Sequence, residues 1–307
     1  MKVFLPVDGP LDPRATLARY RIWGEDPVNR VSDDAFRRVL RLDGRLIPYE
    51  VRWSGTPDDA RLSIDVPGER AEGVRAAVRD EVRRIFGLDF DLPGFYRMAK
   101  GDAVLATLVS PLYGLRPTLT PTALEMLVGA ITAQQVNLAF AFTLRASVVR
   151  RYGPRAAFAG ETLHAFPDAA VLARVPVRTF RAMKFSTGKA EYVREAARAV
   201  AEGRVDLAAL AAAPDDGVIE TLTAVRGLGR WTAEWFLARC LGRGAVCPAG
   251  DLAVRKAFER HYPRRRPYTE DAMRRRARAA WGPYQNLAIH YLLAGSRLAQ
   301  PARGGGT

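Results

Sequence analysis

Asp251 is the carboxylate whose surroundings suggest chemistry. It follows Gly250 and stands at the N-cap position of a helical pattern. A carboxylate held there can stabilise a developing positive charge, or orient and deprotonate a water. It can also serve simply as the cap, worth about 1 kcal/mol to its helix. About twenty residues earlier, Arg226-Gly227-Leu228-Gly229-Arg230 lies between two apolar-periodic runs, VIETLTAV and WTAEWFLARCL. The pattern predicts helix, tight glycine hairpin, helix, because two glycines one residue apart permit positive φ and close backbone approach. The second helix then starts with free N–H groups at the positive end of its dipole, and a phosphate is the natural guest.

Trp231 and Trp235 are four residues apart, so they share one face of that second helix. They suit an electron-rich pocket for a cation, or ordinary core packing. Gln134-Gln135 interrupts an apolar helical pattern between Thr122 and Tyr152. Adjacent amides donate and accept at once, which suits base edges in an opened duplex; bonding to a neighbouring loop is the other use. Arg226, Arg230 and Arg255 are placed to reach phosphates, and each also suits a solvated helix face.

Composition points the same way. The 307 residues carry a formal charge of +14 and a sequence pI of about 10.3, which favours a polyanionic partner. The excess is concentrated: Arg255 to Arg278 holds ten basic and three acidic residues. Hydrophobic content of 48% is that of a globular protein with real cores. No apolar stretch reaches the roughly 20 residues needed to cross a bilayer, and the proline-bearing start MKVFLPVDGP lacks a signal-peptide core. His164, His261 and His290 lack metal-ligand spacing, and Cys240 and Cys247 make no disulfide framework. The expectation is a cytoplasmic, nucleoid-associated protein without a bound metal.

Gly227-Leu228-Gly229-Arg230-Trp231-Thr232-Ala233, followed by Pro248-Ala249-Gly250-Asp251-Leu252, resembles the helix-hairpin-helix (HhH-GPD) DNA glycosylase superfamily. Within it the chain is similar to the 3-methyladenine DNA glycosylase II (AlkA-like) family. Gln134-Gln135-Val136 and Trp281-Gly282-Pro283-Tyr284 support the match, which spans roughly residues 120 to 295. The resemblance implies an enzyme of base excision repair that flips an alkylated base such as 3-methyladenine out of double-stranded DNA and hydrolyses its glycosidic bond. Two other readings stay open: another damaged base (hypoxanthine, 1-methyladenine), or a non-catalytic DNA-binding module. Asp251 takes the catalytic position by resemblance and Gln135 the wedge position. Trp231 stands where superfamily members with lyase activity carry a lysine, which implies hydrolysis without strand cleavage. The family's further base-stacking aromatics align with Leu293 and Ala294, so Tyr284 and Tyr291 are the nearby substitutes for the base pocket. A monovalent cation at the hairpin and a monomeric state are further implications.

The positioning elements follow from the pattern in order. Lys2–Pro6, Phe36–Leu42, Leu46–Trp53 and Leu62–Val66 read as strands, with Asp43-Gly44 a two-residue turn. Arg14–Tyr20 and Ala71–Phe86 read as helices, and Leu88–Phe95 as a connector. The expectation is an α+β domain over residues 1–108, TBP-like by the resemblance, and an all-α HhH-GPD glycosylase domain over 109–298 with the active-site cleft between its two helical lobes. A disordered tail is expected at 299–307.

Overall fold

The computed structural model describes residues 2–69 and 71–298. Strands β1 (Lys2–Leu5), β2 (Arg30–Val31), β3 (Ala35–Leu42), β4 (Arg45–Ser54) and β5 (Arg61–Asp65) form an antiparallel sheet in the order β1-β5-β4-β3-β2. Asp43 and Gly44 both adopt positive φ, 49° and 75°, the twist a two-residue hairpin turn needs, and they set the register that pairs Phe36 with Val51. One face of the sheet buries Phe36, Tyr49, Val51, Leu62 and Ile64. Helix α3 (Glu72–Ile85) covers it with Val74, Val78, Val82 and Ile85, spaced at helical period. The helix expected over Arg14–Tyr20 breaks at Ala18 into α1 (Pro13–Leu17) and α2 (Arg19–Ile22). Ala18 itself keeps helical angles, φ −52° and ψ −34°, and Tyr20 packs on Phe36 in the sheet core while also lining a cavity with residues of the helical half.

That half contains α4 (Leu92–Ala99), α5 (Ala103–Val109), α6 (Ala123–Ala133), α7 (Leu138–Tyr152), α8 (Ala169–Arg174), α9 (Val177–Ala182) and α10 (Thr187–Ala201). It continues with α11 (Leu207–Ala212), α12 (Asp215–Thr223), α13 (Arg230–Arg239), α14 (Leu252–His261), α15 (Glu270–Trp281) and α16 (Gln285–Leu298). It is not wholly α: β6 (Arg155–Phe158) and β7 (Glu161–His164) form a short hairpin. Phe158, Leu163 and Ala165 pack on Val39, so this hairpin is a bracket onto the N-terminal sheet. Four-residue strands carry too little alternation to be read from sequence.

The boundary expected at residue 108 is also displaced. Leu92, Phe95, Ala99 and Leu105 belong to the helical core, whereas the sheet core ends at Leu88. The supposed connector already contains a helix start, because Asp91 accepts from the Gly94 N–H at 2.8 Å and caps α4. The expected tail, residues 299–307, lies outside the described residues.

A buried polar network fixes the two halves against each other. Arg38 on β3 donates to Glu125 on α6 (2.6 Å) and to Glu81 on α3 (3.2 Å). Arg145 on α7 bonds the other Glu125 oxygen at 2.7 Å and Asp26 at 2.8 Å. Tyr49 donates to Glu81 and Arg38 to Asn29, so the network reaches into the sheet and into the segment after α2. That segment is thereby held over the helical half, next to Asp251.

Candidate active site

Gly227 and Gly229 serve different ends. Gly227 has φ +92°, and a Cβ there would lie 2.1 Å from the Tyr192 ring, so no other residue fits without movement. Gly229 has an ordinary φ of −105°, and open space lies over its Cα. The hairpin thus uses positive φ at Gly227 alone; at Gly229 the missing side chain leaves room for a close approach. Gly229 is the N-cap of α13 and supplies no side-chain cap, so the first-turn N–H groups are left to an external acceptor. Gln134 ends α6 and donates Nε2 to the Gly227 carbonyl at 3.0 Å, which sets the hairpin against α6. Gln135 is exposed with φ +55° and stands at the turn into α7.

Along α13, Trp231, Trp235 and Arg239 follow at intervals of four and form one stripe. Both indoles donate to the same Asp251 oxygen, Oδ2, at 2.8 Å from Trp231 and 3.1 Å from Trp235. The other oxygen, Oδ1, accepts from the Ala253 and Val254 backbone N–H groups at 2.8 and 3.1 Å and caps α14. Capping and site geometry are thus the same structure. His290 stands edge-on to Trp235 with ring centroids 6.0 Å apart, its Nδ1–H donating to the Asn286 carbonyl. Burial pushes its pKa well down, so it braces the indole as a neutral ring.

Trp231, Trp235, Arg239 and Asp251 line a cavity of about 220 Å³. Its aromatic walls are Trp231, Trp235, Tyr20, Trp23 and Phe142, with Leu293 and Leu138 beside them. Tyr284 and Tyr291, expected here, lie elsewhere. The Tyr291 side chain is fully buried against Phe95, ring centroids 4.7 Å apart, and its hydroxyl donates to the Leu112 and Leu115 carbonyls. Tyr284 donates to Asp91 at 2.9 Å. For Tyr291 the reason is rotational: Leu293 and Arg297, four apart, present one face of α16 to the cavity, and Tyr291 is about 200° away from Leu293 at 100° per residue; Tyr284 precedes α16, in the turn Gly282–Tyr284.

Of the expected nucleic-acid contacts, Leu228 packs its side chain into the core, at 4% exposure, so the hairpin offers backbone there. Arg226 is exposed and paired with Glu191 at 2.8 Å. Arg230 is exposed but tethered to Glu234, which Arg274 also binds. Arg255 is exposed on α14. Sequence reasoning passed over Tyr20, Trp23, Phe142 and the arginines Arg19, Arg239 and Arg297. Arg239 alone carried a signal, the spacing of four from Trp235; the others converge only through tertiary packing.

Residues 128–283 match the HhH-GPD superfamily of base excision DNA repair proteins. The chain is 31% identical over 207 residues to the DNA-3-methyladenine glycosylase of Bacillus subtilis (strain 168), covering 67% of this chain and 68% of that one. It is 27% identical over 268 residues to DNA-3-methyladenine glycosylase 2 of Escherichia coli (strain K12), covering 86% and 87%. Among solved structures, a 3-methyladenine DNA-glycosylase from Archaeoglobus fulgidus superposes with a TM-score of 0.85 at 26% identity, over 97% of this chain and 99% of that one.

Proposed function

The chain belongs to the HhH-GPD superfamily of base excision DNA repair proteins, and on that premise we propose that it is a monofunctional glycosylase that removes alkylated bases such as 3-methyladenine from double-stranded DNA. The observation that carries the reading is the Asp251 carboxylate, pinned by two indoles at the wall of a base-sized cavity beside the hairpin. Breaking the bond between sugar C1′ and the base nitrogen leaves positive charge on the sugar. A fixed carboxylate stabilises that charge without reorganising. Each Asp251 oxygen already accepts two N–H bonds, which uses its acceptor positions. Asp251 therefore works by charge and orientation, and water adds to C1′ once the cation has formed.

The same wall supports hydrolysis without strand cleavage. A lyase needs an amine at the sugar, and none of the described cavity-lining residues is a lysine. Lys189, on the neighbouring α10, donates its Nζ to the Thr132 carbonyl at 2.8 Å. Gln135 supplies the wedge, and the hairpin N–H groups with Arg226, Arg230 and Arg255 bind the phosphates of the damaged duplex. A monovalent cation at the hairpin belongs to the proposal. The Val225 and Gly227 carbonyls there accept from the Leu228 N–H and from Gln134, each keeping a second lone pair. A monomeric state, implied by the family resemblance, belongs to the proposal too.

The test is to incubate the protein with methylated duplex DNA and chromatograph the free bases, alongside Asp251→Asn. Release of 3-methyladenine or 7-methylguanine that disappears in the variant, with no borohydride-trapped adduct, is the expected result. Release that survives the variant removes Asp251 from the mechanism. A trapped adduct removes the hydrolytic assignment, and DNA binding with no release leaves a binding module.

A further inference from the structure

Arg230 opens α13 directly after the hairpin, with 61% of its side chain exposed. It stands there against two local rules. A cation in the first turn opposes the helix dipole, and an arginine four residues before a glutamate is the less favourable order for a helical pair. Such conflicts mark positions kept for function. Its partner, Glu234, is buried, with 5% of its side chain exposed. Glu234 Oε1 takes two arginine bonds, from Arg230 Nε at 3.0 Å and from Arg274 Nη2 on α15 at 2.9 Å. Its Oε2 is buried without a partner among the described residues. Holding a carboxylate in this way is costly, so its position calls for a reason beyond helix stability.

The bond to Glu234 uses only Nε of Arg230; Nη1 and Nη2 have no partner among the described residues. One edge of the guanidinium is thus fixed and the other is free, next to Gly229, where a Cβ would meet nothing within 4 Å. Arg274 anchors the carboxylate from the other side, and Glu270 holds the same Nη2 at 3.0 Å. Burial would lower the Arg274 pKa, but Glu234 outweighs it and keeps the group charged. Resting on the glycosylase reading above, we propose that Glu234 is a positioning residue: anchored by Arg274, it grips Arg230 through Nε and aims the free Nη pair at the duplex phosphate seated on the hairpin. A planar guanidinium makes both contacts at once, one from each edge. The ammonium of a lysine is a single point charge, and the buried carboxylate would draw it away from the phosphate.

The test is a salt titration of affinity for a short, fluorescently labelled, undamaged duplex, using the intact protein, Arg230→Ala, Arg230→Lys and the double variant Arg230→Lys with Glu234→Gln. Arg230→Ala should lower the slope of log affinity against log salt by about 0.9, the share of one phosphate. Arg230→Lys should lower it as much although the charge is kept, because Glu234 holds the ammonium. Adding Glu234→Gln should restore the slope, since the lysine is then free to reach the phosphate. A parental slope in Arg230→Lys overturns the proposal, because charge alone then suffices. So does a slope still reduced in the folded double variant, and so does an unchanged slope in Arg230→Ala, which removes Arg230 from the phosphate. If the double variant shows no urea transition, Arg230→Lys against Arg230→Ala still decides, because both change an exposed side chain. Base release from methylated duplex is followed in parallel. Its absence in the intact protein fails the glycosylase reading, while the slopes still decide the role of Glu234.

Discussion

The Trp231 indole N–H lies 2.8 Å from Asp251 Oδ2, and Trp235 donates to the same oxygen from one turn further along α13. The helix that follows the hairpin therefore holds the carboxylate from its sequence-distant side, while α14 holds it from its own backbone. Each bond to a charged acceptor contributes roughly 1.5–3 kcal/mol. Trp231→Phe keeps the ring and removes one donor, so base release in a single turnover should fall about tenfold or more, with DNA affinity little changed. Because both indoles serve one oxygen, Trp231→Phe and Trp235→Phe together should depart from the product of the single effects. Strictly multiplicative losses, measured in one double-mutant cycle, would show that the two indoles act separately.

The two hairpin glycines give opposite expectations. Gly227→Ala places a methyl 2.1 Å from the Tyr192 ring at φ +92°. The left-handed backbone costs about 1–2 kcal/mol and the overpacking about 1–3 kcal/mol, so its urea midpoint should drop clearly. Gly229→Ala meets nothing within the protein and keeps an ordinary φ, so its stability should change by no more than about 1 kcal/mol. Its affinity for duplex DNA should fall, because the methyl occupies the space a phosphate would use. Gly229→Ala binding DNA as the parent does would move the phosphate away from the hairpin.

Arg255 projects from α14 beside the cap that holds Asp251. If it neutralises one phosphate, Arg255→Ala should reduce the slope of log affinity against log salt by about 0.9. The loss should be the same for damaged and undamaged duplex, since a phosphate contact carries no lesion information. An unchanged slope in a salt titration would leave Arg255 a solvated residue.

How far the sequence reached follows from the range of each interaction. Asp43-Gly44, the Asp251 cap and the Gly227 hairpin are local, and their residue types carry the conformation with them. Trp231, Trp235 and Asp251 were readable as a group because α13 and α14 are consecutive and the spacing of four is explicit. Tyr20 and Trp23 reach the cavity through tertiary packing, with Arg38, Arg145 and Asp26 anchoring the segment that follows them; no local pattern encodes that. Tyr291 failed for the complementary reason. Proximity in sequence to the right helix says nothing of its rotation, and two residues along α16 separate the cavity face from the core.

Glu125 joins the halves through Arg38 and Arg145, at 2.6 and 2.7 Å, with only 3% of its side chain exposed. Burial alone would raise its pKa, but Arg38 and Arg145 outweigh that and hold it below its ordinary value of 4.5. Asp26 is likewise held below 3.8 despite burial, chiefly by Arg145. Carboxylates with depressed folded values add stability that is present above their unfolded pKa and lost as pH falls through the folded one. Glu81 has the opposite sign: burial raises it, so its contribution declines as pH rises from 4.5 through its folded value. Urea stability should therefore hold near neutrality and collapse below about pH 4. Glu125→Gln strands two buried guanidinium groups and should cost about 3–5 kcal/mol at pH 7, while flattening the acid limb. Glu81→Gln should cost less, because burial already disfavours that charge. Equal losses in the two variants at pH 7, followed by urea unfolding, would show that the network does not discriminate its carboxylates and that the acid limb arises elsewhere.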